Sequence, residues 1–66
     1  MNKFQAMAQI MTLLNEDNFL KPGSHVYKLV RSMVSDKIDR LGPEGALVQV
    51  MDTKAHLLAQ IKQFVM

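Results

Sequence analysis

The chain is 66 residues long, contains no cysteine, and carries eight Lys and Arg against six Asp and Glu, a formal net charge of +2. These counts exclude disulfides, thiolate zinc motifs and a cysteine nucleophile, and they describe no strong polyelectrolyte partner. A chain of about 60 residues buries only about 60% of the surface its unfolded form exposes, so a single helical domain over 1–66 is expected, with association as its natural reinforcement.

The composition is 48% hydrophobic with a mean hydropathy of +0.01, which argues against disorder. No apolar run approaches the roughly 18 residues of a membrane span, and Met1-Asn2-Lys3-Phe4 offers no apolar signal core. A soluble, cytoplasmic protein that does not enter a membrane is expected.

Between Lys3 and Asn15 the apolar residues Phe4, Met7, Ala8, Met11 and Leu14 recur every three or four positions, predicting a first helix over 3–15. A second set, Ala6, Ile10 and Leu13, lies beside that stripe and widens the apolar surface beyond what one neighbour covers. Asn15-Glu16-Asp17-Asn18 breaks the pattern and Lys21-Pro22-Gly23 forms a loop, from which Phe19 and Leu20 are expected to fold back onto the core.

Ser24 suits an N-cap, its hydroxyl accepting a backbone N–H of the first turn. Val26, Val30, Met33, Val34, Lys37, Ile38 and Leu41 follow at helical spacing, predicting a second helix over 24–41 that Asp36 and Arg40 support as an i,i+4 pair and Gly42 ends. Pro43 fits the first position of a third helix over 44–65, where its missing N–H has no partner to lose, and Glu44 complements the dipole there.

Within the third helix, Val48, Met51, Ala55, Leu58, Ile61 and Val65 share one face, with Val50, Leu57 and Phe64 alongside. Ala46 to Val50 also reads as a short strand followed by a fresh helix capped by Asp52. One long helix is favoured because the apolar phase continues across the junction.

At 1.5 Å per residue the three helices are about 20, 27 and 33 Å long, so the short first helix covers only part of the other two. Short links favour antiparallel neighbours. The expected fold is therefore all-α, a three-helix unit built on an antiparallel hairpin of helices two and three, completed as a homodimeric helical bundle.

The sequence holds little that performs catalysis. The two histidines, His25 and His56, form no H-x-x-x-H or H-E-x-x-H pair, so no metal site is expected from one chain. His56 follows Asp52 by one turn, an ordinary solvated pair on a polar helix face. Ser24 is read as a cap and Ser35 as a solvated helix residue, because neither has a base and an orienting group marked in the sequence. The glycines Gly23, Gly42 and Gly45 build no phosphate loop. No enzyme, cofactor or metal is expected.

Two short-linked helices also invite comparison with a helix-turn-helix, in which Ile38, Leu41, Val48 and Met51 would be the buried positions around Gly42. The residues left to meet DNA would then be Glu44, Gly45, Gln49, Asp52 and Thr53, of which two are carboxylates that repel phosphate. A small dimeric DNA-binding regulator is accordingly the alternative reading.

The favoured reading is a protein-interaction module, a regulatory inhibitor or adaptor. Its partner-binding residues are expected to be Met7, Ile10, Leu13, Tyr27, Lys28 and Arg31, with methionines supplying adaptable contact and the two basic residues steering approach. Met51, Leu58, Ile61, Phe64 and Val65 are expected to form the dimer interface.

Overall fold

In the computed structural model, which describes residues 1–65 and the side chains of residues 1–64, the chain is all-helical. The helices are α1 (Lys3–Leu14), α2 (His25–Leu41) and α3 (Pro43–Val65), with boundaries within a residue of those the periodicity predicts. Each start has a local chemical cause. Asn2 and Gln5 form a reciprocal capping box, the Gln5 N–H donating to Asn2 Oδ1 at 2.8 Å and the Asn2 N–H donating to Gln5 Oε1 at 3.0 Å. Ser24 caps α2 as expected, its Oγ accepting the Tyr27 N–H at 3.1 Å.

Gly42 alone separates α2 from α3, at φ 80° and ψ 164°, and its N–H donates to the Ile38 carbonyl at 2.8 Å. That backbone region is essentially closed to residues with a Cβ, so the abrupt turn depends on glycine. Beyond it, Ala46–Val50 is helical rather than strand, and α3 passes through Asp52 and Thr53 without interruption. Thr53 satisfies its hydroxyl within the helix by donating to the Gln49 carbonyl at 2.8 Å, so the β-branched residue leaves the helix intact.

The connection between α1 and α2 is held by one side chain. Asn15 Nδ2 donates to the Leu20 carbonyl at 3.1 Å while the Leu20 N–H donates to Asn15 Oδ1 at 2.9 Å, which closes the loop into a small ring. Leu20 is thereby driven into the core and Phe19 packs against it, so both residues fold back as expected.

One cluster joins all three helices: Ala6, Ile10, Met11 and Leu14 from α1, Val30, Val34 and Ile38 from α2, Ala46, Val50 and Ile61 from α3, and Leu20 from the loop. Ion pairs at both ends set how α1 lies on this core. Lys3 meets Asp39 near the end of α2 at 2.8 Å, while Glu16 and Asp17, just past α1, meet Lys54 at 2.6 Å and Lys62 at 3.1 Å on α3. With the Met1 ammonium beside Glu44 at 3.3 Å, these are the four ion pairs among the described residues; each has at least one well-exposed partner, and they orient more than they stabilise.

The Cα radius of gyration is 11.0 Å, matching the roughly 11 Å of a compact globule of this length. The accessible surface of 4437 Å² is close to the about 4250 Å² expected of a folded 7.5 kDa monomer. The core is closed within one chain, and the surface differs from the ordinary in its chemistry rather than its extent.

Two helix phases differ from the sequence-based expectation. In α1 the buried residues are Ala6, Ile10, Met11 and Leu14, whereas Phe4, expected to face the core, is 78% exposed. In α3 the buried row is Ala46, Val50 and Ile61, supported by Leu57, while Val48 and Met51 stand 57% and 60% exposed. In α1 the core takes residues from both apolar rows and leaves Phe4 out at the helix start, and in α3 it takes the face of Ala46, Val50 and Ile61.

Candidate functional site

Among the depressions of the described surface, two flank α1 along its length, and a third at its C-terminal end is lined by Met11, Asn15, Glu16 and Tyr27. Between α1 and α2 lies a cleft of about 530 Å³ lined by Lys3, Phe4, Met7, Lys28, Arg31, Ser32 and Ser35. It continues past Met7 and Arg31 toward Met11 and Tyr27. The α2 members follow a 28, 31, 32, 35 spacing, so one helical face carries both cations and both hydroxyls. Phe4 and Met7 are separated by one turn of α1 and form the facing apolar wall.

Charge is distributed unevenly around this cleft. Lys3 is engaged by Asp39, but among the described residues neither Lys28 nor Arg31 has an ion-pair partner. None of the residues lining the cleft is a carboxylate. Two unpaired cations beside an exposed phenyl ring thus form a basic and apolar surface, with the nearest carboxylates, Asp39 and Glu16, at its two ends and engaged by Lys3 and Lys54.

The second groove, about 480 Å³, lies between α1 and α3 and is lined by Ala8, Gln9, Thr12, Leu13, Leu47 and Met51. Its lining is mostly apolar, with Gln9 and Thr12 the polar members. On α3 the residues Val48, Met51, Ala55 and Leu58 recur at intervals of three, four and three, a seam outside the buried row of the same helix.

The structure sorts the expected partner-binding residues into three places. Met7, Tyr27, Lys28 and Arg31 do come together around the α1–α2 cleft, whereas Leu13 belongs to the α1–α3 groove. Ile10 belongs to neither: it is 0% exposed at the centre of the core and offers nothing to a partner, because its row of α1 is the one that α2 and α3 enclose.

Of the residues expected at a dimer interface, Met51 is exposed and Leu58 is half-buried against the core. Ile61 is a core residue of the single chain, covered where Leu20 and the loop meet α3, and so is not an interface residue. Phe64 projects 77% exposed from the end of α3, and the side chain of Val65 lies outside the described residues.

Phe4 is the surface residue that periodicity misassigned. Its signal was present in the sequence, because a large apolar residue at the second position of a helix lies at the bundle's end, where neighbours cover least.

The helix-turn-helix pattern loses its packing. Ile38 is buried, but Leu41, Val48 and Met51, which would have to fix the two helices, are exposed. Among the described residues no group of three or more His, Cys, Asp and Glu side chains gathers to hold a metal, and no helix is long and apolar enough to cross a membrane. His25, Asp52 and His56 are all exposed on the surface.

Fold and surface together define a small three-helix globule with one basic, aromatic cleft and one apolar groove. Compared with known proteins, the chain matches no family model, no curated sequence and no solved structure.

Proposed function

We propose that this chain is a small non-enzymatic interaction module, acting as a regulatory inhibitor or adaptor in the cytoplasm, that docks another protein in the α1–α2 cleft. The observation that carries this reading is Phe4, a phenyl ring 78% exposed beside Met7, Tyr27 and the unpaired Lys28 and Arg31. Aromatic and arginine side chains are the residue types that anchor interfaces, and methionine adapts its shape to the surface it meets. A 66-residue chain whose core uses every helix has little structure left to enclose a substrate.

The same proposal includes a homodimer formed through α3, with Met51 and Leu58 at its interface. The seam Val48, Met51, Ala55 and Leu58 supports it, since spacing of three and four on an exposed helix suits pairing with a like helix. The α2–α3 pair then serves as an antiparallel hairpin about Gly42, supported by the hydrogen bond from Lys37 Nζ to Gln49 Oε1 at 2.6 Å.

The docking reading is tested by placing a photo-crosslinking amino acid at position 4, and at position 63 as a control, in cells that express the protein. Adducts to protein are expected at position 4, lost when Arg31→Glu is added. Adducts to nucleic acid would favour the DNA-binding regulator instead, and equal protein adducts at both positions would remove the cleft as the docking face.

A further inference from the structure

We infer that the occupant of the α1–α2 cleft is an acidic amphipathic helix, its apolar residues seated on Phe4, Met7 and Tyr27 and its carboxylates on Lys28 and Arg31. This rests on the docking reading above and specifies the partner's chemistry. The first argument is charge complementarity: the cleft presents Lys3, Lys28 and Arg31 without a lining carboxylate, and only Lys3 is paired internally. A partner segment with Asp or Glu beside its apolar face supplies the missing counter-charge, and Arg31 can receive a carboxylate through two parallel N–H donors.

The second argument is shape. The cleft runs between two helices, with Phe4 and Met7 one turn apart on one wall and Lys28, Arg31 and Ser35 spaced by three or four on the other. A helix presenting residues at i, i+3, i+4 and i+7 matches that periodicity, which is the usual way an amphipathic helix lies in an apolar groove. Ser32 and Ser35 make no side-chain hydrogen bond within the described residues, so their hydroxyls are available to carboxylates that overshoot the two cations.

The third argument separates this occupant from polyanions. The affinity of nucleic-acid binding rises with the number of phosphates neutralised, and anionic-lipid recognition uses clusters of about four to eight basic residues. A net charge of +2 with two unpaired cations in a concave cleft is too little positive field for either, yet enough for two carboxylates at short range.

The test uses two synthetic helical peptides of about 15 residues sharing one apolar face of leucine and phenylalanine, one with glutamate along its polar flanks and one with glutamine. Binding is followed through the protein's backbone amide shifts. The glutamate peptide is expected to shift amides of residues 3–11 and 27–35, and to bind about tenfold or more tightly than its glutamine twin. The Lys28→Glu, Arg31→Glu double variant should remove that preference while keeping the helical signal, and Phe4→Ser should weaken both peptides.

Equal binding of the two peptides overturns the inference, as do shifts confined to residues 47–58. Displacement of the glutamate peptide by phosphatidylserine vesicles also overturns it, in favour of a membrane. If neither peptide binds while position 4 still crosslinks to protein, the acidic-helix inference falls and the docking reading stands. Failure of the crosslink as well brings down both.

Discussion

The phase of α1 is decided by comparing Ile10→Ala with Phe4→Ala. Ile10 is among the largest fully buried side chains and sits in a cluster contributed by all three helices, so truncation leaves a cavity that only a rearrangement of α2 and α3 closes. Large-to-alanine changes at such sites cost about 2–5 kcal/mol, and a single core in a chain this short supplies only about 3–5 kcal/mol in total. Ile10→Ala should therefore remove most of the stability of the fold. At about 4–8 °C per kcal/mol for a domain of this size, even the lower bound lowers the melting temperature by roughly 8–16 °C.

Phe4→Ala removes a larger side chain that water already surrounds, and such surface changes fall within about 0.5 kcal/mol. The assay is urea and thermal unfolding followed by far-UV circular dichroism, with all proteins at one concentration, because self-association would otherwise shift both curves. A loss from Phe4→Ala equal to that from Ile10→Ala would refute the reasoning, since it would mean that the phenyl ring lies in the core.

Gly42→Ala forces a Cβ into backbone at φ 80° and ψ 164°, and a loss of about 1–3 kcal/mol is expected in the same unfolding assay although the space around it is open. Asn15→Ala strands the Leu20 N–H and carbonyl together and should cost about 1–3 kcal/mol, whereas Asn15→Asp keeps the acceptor and should lose less; equal losses would deny the two-bond ring. Met51→Glu places a charge in the exposed α3 seam and should abolish any dimer seen by light scattering without lowering helical content, while loss of helix on that change would place Met51 in the core instead.

Local signals in the sequence identified the elements, while non-local packing chose between faces. Ser24, Gly42 and Pro43 mark helix ends through chemistry confined to a few neighbouring residues, and the boundaries follow them closely. The capping box of Asn2 and Gln5 is equally local and legible in its N-x-x-Q spacing, which hydrophobic periodicity alone does not register. The choice between Phe4 and Ile10, or between Val48 and Val50, is of another kind. Each pair is apolar but lies on different faces of one helix, about 120° apart for Phe4 and Ile10 and about 160° apart for Val48 and Val50, and burial depends on the angle at which the other helices arrive. Spacing along a single strand of sequence contains no record of that angle when nearly half the residues are apolar.

The candidate site was legible to the same degree. Tyr27 and Arg31 are legible as residue types that anchor interfaces, Lys28 as a steering charge on the same helix, and Met7 through its i,i+4 partner Met11. That Phe4 completes their cleft depends on how α1 crosses α2. The α3 seam was legible from its spacing, but Ile61, read on the same face, is buried in the core of the single chain.

The α1–α2 loop and the far end of α3 are joined at one place. Asp17 binds Lys62 at 3.1 Å, the Lys62 ammonium lies 5.4 Å from the centre of the Phe19 ring, and Ile61 is buried against the same cluster as Leu20. In hydrogen-exchange terms this makes the loop and the last turns of α3 one opening unit, because neither retains its apolar cover once the other detaches. Amides from Leu57 to Phe64 should therefore exchange in step with the Leu20 N–H and ahead of the α2 centre at Val34, so that the end of the longest helix opens with a loop nearly forty residues away in sequence rather than with the rest of its own helix.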